Sequence, residues 1–466
     1  MITKLLPTKK PVIRKRADHP VSRKDIDPQA LRVLYRLSDA GYTAYLVGGS
    51  VRDLLMGRTP KDFDVSTDAP PNAIKKLFRN CFLVGRRFRL AHIVFGSKVI
   101  ETSTFRRQPR ENGDTKGGDD LYQREDNDFG TPAEDAQRRD FTVNGLFYDI
   151  KTFSIIDYVG GLKDLDSKTL RSIGDPNVRF REDPVRMMRA IRFSARLGFT
   201  IERKATQAIK RHHAEISKAS VPRLLEELLR LFTYSSAEPA FKQLWKFGLL
   251  DDLAPEVAVF INQSGKLKSP LWEVLRNLDA TPDSQNASAG LRLATLCYPI
   301  YQAKIKEANS NATAEGTNNL ELARQTLEPF VKRLRIPKAT FFTATNLLEM
   351  QTRFDTLSDK PAARRDRFAR HTHFPEAFIL WSITAHTSPE QIAVWTEVAA
   401  RVKPAIHPNE AEADASENAW RVATGAAPLE PRHGFDGRRR RRPRHAARRR
   451  PDSTRETGRK ETTQTP

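Results

Sequence analysis

Residues 46–67 read LVGGSVRDLLMGRTPKDFDVST and combine a strand end, a glycine turn, a short helix and a second strand. Gly48 and Gly49 lie between the strand and the helix, where backbone N–H groups and a helix N-terminus can approach a phosphate. Ser50 and Asp53 have the spacing of a capping box. The segment matches neither the Walker pattern nor G-x-G-x-x-G, which excludes ordinary P-loop and Rossmann sites. A tight strand–helix turn without a ligand is the alternative interpretation of the two glycines.

Two aspartates follow on the second predicted strand, KDFDVST. Asp62 and Asp64 are two residues apart, so a strand places both carboxylates on one face. They repel each other unless positive charge lies between them. Mg²⁺ supplies such charge, since it typically takes one or two carboxylates and completes its shell with water and substrate phosphate. A pair of these ions can activate an attacking hydroxyl and stabilise a leaving pyrophosphate. An isolated Asp-x-Asp usually marks only an exposed strand edge, so the glycine turn upstream gives the pattern its specificity.

The charge of the chain lies mainly at its two ends. The 466 residues include 79 Lys and Arg against 57 Asp and Glu, a net charge of +22. Residues 1–25 hold eight basic and two acidic side chains, and residues 432–450 hold ten arginines and one aspartate. Arginine runs attract polyanions, nucleic acid above all. We therefore expect an RNA or DNA partner and a disordered tail that binds RNA phosphates; a solubilising or localising tail is the alternative.

Several classes of protein are excluded by composition. Cys81 and Cys297 are the two cysteines, too few for a disulfide framework or a cysteine zinc site. The sequence contains no run of about 20 apolar residues, so no transmembrane helix is predicted. The start, MITKLLPTKKPVIRKR, lacks the apolar region of a secretory signal. We expect a reduced, cytoplasmic setting.

The 46–67 segment resembles the first motif of the class II nucleotidyltransferases, the family of bacterial poly(A) polymerases and CCA-adding tRNA nucleotidyltransferases. The resemblance covers roughly residues 25–260. It implies Asp62 and Asp64 as catalytic metal ligands for Mg²⁺, with Mn²⁺ as an alternative. It also implies that Gly48, Gly49 and Arg52 belong to a nucleotide site.

A third catalytic acid has two candidates. Glu101 is a candidate by its placement on the predicted strand VIETSTF, and Asp140 by its motif. The motif is RRDFTVN, residues 138–144, whose polar side chains suit ribose and phosphate. Because RRDFTVN matches a family motif residue by residue, we favour Asp140 as catalytic and assign Arg139 to nucleotide binding. The alternative interpretation of RRDFTVN is the start of a surface helix without a ligand-binding role.

A second motif, EDPVRMMRAIRFSARLG, predicts a helix that reads the base. Asp183 and Arg186 are three residues apart and share a helix face. Arg can donate to the ring nitrogen of adenine or cytosine, and Asp can accept from the amino group. Guanine and uracil present the reverse order and leave both groups unpaired, at about 1–3 kcal/mol per buried group. The family's E-D-x-x-R motif implies this template role; a simple ion pair is the alternative.

Arginines continue along the same helix. Arg189, Arg192 and Arg196 recur at spacings of three and four residues. They predict either a phosphate-facing stripe or a solvated helix face, and the sequence does not separate these two interpretations.

Three features favour poly(A) polymerase over CCA-adding enzyme. The segment LVGRRFRLAHIVFG, residues 83–96, resembles a segment distinctive of bacterial poly(A) polymerases, and its Arg86, Arg87 and Arg89 can bind triphosphate or an RNA end. SRKDI near the N-terminus and the arginine-rich tail resemble the same group. No metal-phosphohydrolase H-D signature follows residue 200. A non-catalytic RNA-binding protein on the same fold is the third hypothesis.

The resulting prediction is an α+β protein. A mixed-sheet nucleotidyltransferase head precedes an all-helical neck and body and a disordered basic tail, and residues 107–136 form a mobile excursion. We expect ATP and RNA 3′ ends as substrates, RNA-decay or RNA-chaperone proteins as partners, no membrane span, and a monomer. The predicted divisions are a flexible basic arm (1–25), the head (26–160), a neck (161–260), a body (261–425) and the tail (426–466).

Overall fold

The computed structural model of the chain describes residues 10–85, 89–107, 129–282, 286–311, 318–384 and 388–403. The predicted arginine-rich tail, Arg86, Arg87 and most of the predicted excursion at 107–136 lie outside these ranges.

An eight-stranded mixed sheet forms the N-terminal part. Its strands are β1 (Val12–Arg14), β2 (Ala44–Val47), β3 (Asp64–Thr67), β4 (Cys81–Val84), β5 (Leu90–Phe95), β6 (Lys98–Thr104), β7 (Leu146–Asp149) and β8 (Ser154–Asp157). They lie in the order β1-β8-β7-β2-β3-β6-β5-β4, and neighbours are antiparallel except β3 and β6, which run parallel. This arrangement confirms the predicted mixed-sheet head.

Helices fill the connections of the sheet, and the first of them shows how the sequence sets its start. Asp27 caps this helix because its Oδ1 accepts hydrogen bonds from the N–H groups of Gln29 and Ala30, at 2.8 and 3.2 Å. The helices of this part are α1 (Pro28–Asp39), α2 (Gly49–Leu55), α3 (Pro71–Leu77), α4 (Pro132–Arg138) and α5 (Gly161–Asp166).

The rest of the described part of the chain is mainly helical, as predicted, with one short pair of strands. Two-residue strands β9 (Thr169–Leu170) and β10 (Thr200–Ile201) pair in parallel, a contact too short to leave a sequence pattern. The helices are α6 (Pro176–Glu182), α7 (Val185–Leu197), α8 (Arg203–His212), α9 (Val221–Arg230), α10 (Ala237–Lys246), α11 (Leu249–Leu253), α12 (Pro255–Gln263), α13 (Pro270–Ala280), α14 (Ala289–Asn311), α15 (Asn319–Leu334), α16 (Lys338–Glu349), α17 (Gln351–Ser358), α18 (Ala362–Ala369), α19 (Phe374–Ser382) and α20 (Pro389–Arg401).

One apolar core runs through sheet and helices, from Val21 to Val402. Because this core is continuous, it marks no break at the predicted divisions after residues 160 and 260, which stay predictions. A smaller cluster lies on a second apolar surface of the sheet and consists of Val47, Phe105, Ala136, Phe147 and Ile156. None of the helices in the described ranges is long and apolar enough to cross a membrane.

The prediction of a flexible basic arm is wrong for residues 10–25. Strand β1 extends the sheet by pairing with β8. Val21 is 1% exposed and lies in the main core. His19 is also buried, with its Nε2 2.9 Å from the carbonyl oxygen of Phe153. Basic side chains dominate this segment's composition, but its few apolar residues and its backbone dock it on the sheet.

Candidate active site

Three carboxylates lie near one another where β3 begins beside β6. Asp64 is the first residue of β3, and Asp62 lies in the loop two residues before it. The parallel register pairs Val65 with Thr102, which sets Asp64 beside Glu101 one residue earlier on each strand. The side chain of Glu101 is 53% exposed, and Asp64 is also open to solvent. The structure therefore brings the two predicted aspartates together with Glu101.

Electrostatic repulsion acts on this carboxylate group. The surrounding protein removes hydration from Asp64, and this, together with the negative charges of Glu101 and Asp62, raises its pKa to about 6; Arg139 opposes the shift. Excess negative charge of this kind favours a divalent cation. Within the described ranges, no cluster of three or more His, Cys, Asp or Glu side chains forms a metal site by itself. Two carboxylates completed by substrate phosphate and water are the arrangement Mg²⁺ commonly adopts.

The glycine turn lies beside these carboxylates on β2, the other neighbour of β3. Gly48 has a φ of +72° and a ψ of −129°, a conformation open to glycine but strained for other residues. Its N–H donates to the carbonyl oxygen of Leu146 at 3.0 Å. A Cβ at this position would lie 2.8 Å from Nη1 of Arg139. Glycine is therefore required here both for the backbone turn and for the approach of Arg139.

Arg139 lies on the same face of the sheet as the carboxylates. Its Nη2 is 3.4 Å from Oγ of Ser66, which is two residues beyond Asp64 on β3. Nη2 also donates to Oδ2 of Asp135 at 2.9 Å, an ion pair along α4 and its end. The guanidinium is thus held close to both the glycine turn and Ser66, and its positive charge acts on Asp64.

Arg52, also predicted to bind nucleotide, is buried behind the turn. It is 1% exposed, and its Nε and Nη2 donate to Oδ1 of Asp53 at 2.9 and 2.7 Å. Its Nη1 donates to Oδ1 of Asn144. The guanidinium lies against Gly49, whose Cβ would be 3.5 Å from Nη2. Arg52 therefore packs against the glycine turn from the protein interior and stabilises it.

Asp140 faces protein donors on both of its oxygens. Oδ1 accepts from the N–H of Phe141 at 2.8 Å and from Nδ2 of Asn144 at 3.0 Å, and Oδ2 accepts from Nε and Nη2 of Arg189 at 2.8 and 2.6 Å. Burial alone would raise its pKa, but Arg189 and these hydrogen bonds hold the pKa at about 2. The charged groups that shift the pKa of Asp64 are Glu101, Arg139 and Asp62, and Asp140 is not among them. The structure thus places Glu101, rather than Asp140, next to the Asp-x-Asp pair.

Asp183 and Arg186 are brought together where α6 ends and α7 begins. Nε of Arg186 lies 4.0 Å from Oδ2 of Asp183, and that oxygen also accepts from Nη2 of Arg223 at 2.7 Å. Nη1 of Arg186 donates to the carbonyl oxygen of Arg179 and to Oε2 of Glu182, at 3.1 and 3.3 Å. Both side chains of the predicted template are thus preoriented by neighbours.

The three further arginines of α7 form neither a free phosphate stripe nor a solvated face. Arg189 binds Asp140, Arg192 donates to Glu227 at 2.8 Å, and Arg196 donates to Asp53 at 2.9 Å. Each arginine therefore ties α7 to a carboxylate of another segment.

Sequence reasoning missed several residues around this site. Nη2 of Arg179 donates to the carbonyl oxygens of Arg138 and Arg139, at 2.7 and 2.8 Å, and so fixes the RRDFTVN segment. Glu227 is 4% exposed and accepts from Arg192. An acidic residue on the otherwise apolar face of a predicted helix is the sequence feature that could have identified Glu227. The arginines on α7 could have identified its partner.

Comparisons with known proteins agree with this arrangement. Residues 44–171 match the family described as Poly A polymerase head domain, and residues 198–261 match one described as probable RNA and SrmB-binding site of polymerase A. Poly(A) polymerase I of Salmonella typhi is 39% identical over 393 residues, 82% of this chain and 84% of that protein. The CCA-adding enzyme of Lactobacillus helveticus is 36% identical over 296 residues, 62% of this chain and 70% of that protein.

Solved structures show the same fold. The crystal structure of the Bacillus stearothermophilus CCA-adding enzyme in complex with CTP aligns with a TM-score of 0.58 and 23% identity, over 86% of this chain and 94% of that one. The fold and the 39% identity over more than four fifths of both sequences confirm the expected resemblance. The chain is a nucleotidyltransferase and belongs to the bacterial poly(A) polymerase family, within the group that also includes the CCA-adding enzymes.

Proposed function

We propose that the chain is a template-independent polynucleotide adenylyltransferase that adds AMP from ATP to RNA 3′ ends, forming poly(A) tails that promote RNA turnover. The observation that carries this choice is the extent of the two similarities. Identity to poly(A) polymerase I is 39% over 393 residues, whereas identity to the CCA-adding enzyme is 36% over 296 residues. The poly(A) polymerase relationship thus extends further along the chain.

The chemistry we propose is attack of the RNA 3′ hydroxyl on the α-phosphate of ATP, with release of pyrophosphate. Mg²⁺, held by Asp62 and Asp64 with Glu101 beside them, would supply the positive charge that stabilises the attacking oxygen and the leaving group. The raised pKa of Asp64 supports this assignment, because the neighbouring charges of Glu101 and Asp62 that help to raise it would also attract a cation.

The rest of the chain's contribution is to orient ATP. In the proposed complex, the turn at Gly48 and the guanidinium of Arg139 contact the triphosphate, and Asp183 and Arg186 pair with the edge of the base. The match over residues 198–261 to a probable RNA-binding segment supports RNA contact by α8 to α12.

CCA addition is the second candidate, because the Asp183–Arg186 pair admits cytosine as well as adenine. The 36% identity to a CCA-adding enzyme also supports this second hypothesis. A non-catalytic RNA-binding protein is the third candidate, against which the intact Asp62, Asp64 and Glu101 group argues.

One assay separates these candidates. Purified protein with Mg²⁺ is given either an RNA of mixed 3′ ends or a tRNA trimmed of its final three nucleotides, together with all four NTPs, and the product ends are sequenced. Untemplated runs of A on both RNAs are expected. Addition that stops after C-C-A on the trimmed tRNA would establish the alternative, and absence of addition would indicate a binding protein.

A further inference from the structure

The face of the sheet that carries the carboxylates continues beyond Glu101 to the edge strand. The register sets Glu101 opposite His92 on β5, and His92 opposite Phe82 on β4. The alternating residues Ile100, Ile93 and Cys81 are 1%, 0% and 5% exposed and point to the core. Phe82 and His92 therefore lie in one cross-strand row with Glu101, on the opposite face.

Three exposed apolar side chains lie on this part of the face. Phe82 is 62% exposed, Val84 46% and Val99 43%. Nε2 of His92 lies 3.9 Å from Oε1 of Glu101. Phe82, Val84, His92 and Val99 are called the β4–β6 platform below. Exposed apolar side chains that share one face of a sheet are a common feature of binding surfaces.

The direction of the reaction indicates what this surface meets. Gly48 and Arg139, the candidate triphosphate contacts, lie on the β2 side of Asp64, whereas β6, β5 and β4 extend on the other side. In phosphoryl transfer the attacking and leaving oxygens are roughly in line. If the pyrophosphate leaves on the glycine-turn side, the attacking 3′ hydroxyl arrives from the side of β6.

We propose that the β4–β6 platform binds the 3′-terminal bases of the RNA, with Phe82 as the stacking surface. This inference rests on the proposed nucleotide addition at Asp62 and Asp64. With strands about 4.8 Å apart, β4 lies about 14 Å from β3, so Phe82 faces a base upstream of the terminal sugar. Stacking on an aromatic ring tolerates any base, since every base has a π face, and this suits an enzyme that extends ends of different sequence.

The test compares an aliphatic and an aromatic substitution at one position. Phe82→Leu keeps apolar surface but removes stacking, and Phe82→Trp keeps stacking. Phe342→Leu is the matched control, because Phe342 is 59% exposed on α16 in the helical body. Extension of short RNAs is measured at saturating ATP with varied RNA, and the affinity for an A-oligomer is measured separately by fluorescence anisotropy.

Phe82→Leu is expected to raise the KM for RNA and the Kd for the oligomer by about tenfold, equivalent to about 1.4 kcal/mol, and to leave the KM for ATP unchanged. Phe82→Trp and Phe342→Leu should match the wild type in both assays. An unchanged Kd in Phe82→Leu, or an equal loss in Phe342→Leu, would overturn the proposal. So would a change in oligomeric state of Phe82→Leu with unchanged RNA affinity, which would identify a second copy as the occupant. Failure of the wild type to add nucleotides would instead refute the proposed function, while the anisotropy comparison would still decide the platform.

Discussion

Arg189 on helix α7 donates two hydrogen bonds to one oxygen of Asp140, at 2.8 Å from Nε and 2.6 Å from Nη2. The other oxygen of Asp140 accepts from Asn144, whose own side-chain oxygen accepts from Arg52 beneath the glycine turn. The ion pair thus connects the helix that begins beside Asp183 to the turn at Gly48. We therefore expect Asp140 to position this chain of contacts, whereas Glu101 is the acid that lies beside Asp64.

Removing Arg189 tests that role. Arg189→Ala should lower the free energy of unfolding by about 2 kcal/mol, because breaking this largely but not fully buried pair leaves Asp140 without its counter-charge. Lys332→Ala, which breaks an exposed pair with Glu328, should cost under about 1 kcal/mol in the same urea titration.

The metal dependence of an Asp140 variant separates positioning from metal binding. Residual activity of Asp140→Ala should show the Mg²⁺ requirement of the wild type, whereas Glu101→Ala should need more Mg²⁺. A raised Mg²⁺ requirement in Asp140→Ala, with stability unchanged, would restore Asp140 as a metal ligand.

The raised pKa of Asp64 predicts a pH-dependent stability difference. With a pKa of about 6 in the folded protein against a usual 3.8, the folded state holds the proton more tightly than the unfolded state. Stability of the metal-free protein is therefore lost as the pH rises from about 4 to above 6. In EDTA, Asp64→Asn should have a higher Tm than the wild type at pH 8, and the gain should shrink near pH 4.

Saturating Mg²⁺ should raise the Tm of the wild type at pH 8 and leave Asp64→Asn nearly unchanged. Equal Tm values for the two proteins at pH 8 in EDTA would show that Asp64 carries no uncompensated charge.

The close approach of Arg139 to Gly48 predicts a specific defect. Gly48→Ala forces a strained backbone, at about 1–3 kcal/mol, and its Cβ displaces Nη1 of Arg139. We expect the KM for ATP to rise about tenfold or more. Gly57→Ala is the control, since Gly57 has a φ of +67° but nothing within 4 Å of the added Cβ. If both variants change the KM for ATP equally, backbone strain alone explains the effect.

Base choice tests the Asp183–Arg186 template. Asp183→Ala should relax the preference for ATP over GTP and UTP, because the acceptor for the adenine amino group is lost. Arg223→Ala removes only the neighbour that donates to Asp183 at 2.7 Å, so it should keep that preference. Competition among the four NTPs measures both, and unchanged selectivity in Asp183→Ala would exclude the template role.

The local parts of this site could be predicted from the sequence. The glycine turn, the Asp62–Asp64 pair and the proximity of Asp183 to Arg186 depend on residues close together in the chain. Strand or helix periodicity does not place these pairs, as the sequence had suggested, because Asp62 precedes β3 and Asp183 precedes α7; the short separation along the chain keeps each pair together.

The parts that sequence patterns did not predict depend on distant pairs. Arg189 and Asp140 are 49 residues apart, and Arg192 and Glu227 are 35 apart. A row of arginines on one helix looks the same whether its partners are phosphates, water or carboxylates of another segment. The docking of residues 10–25 depends likewise on strand β8, which is more than 100 residues downstream.

The most direct test of the account is the rate of AMP incorporation by Asp62→Ala and Asp64→Ala at saturating ATP, RNA and Mg²⁺. Asp39→Ala, an exposed aspartate at the end of α1, is the control for loss of one negative charge. We expect both aspartate variants to stay folded and to lose nearly all incorporation, because the charge that stabilises the transferring phosphate is gone, while Asp39→Ala matches the wild type. More than about a tenth of the wild-type rate in either variant, a barrier change under about 1.4 kcal/mol, would contradict the assignment.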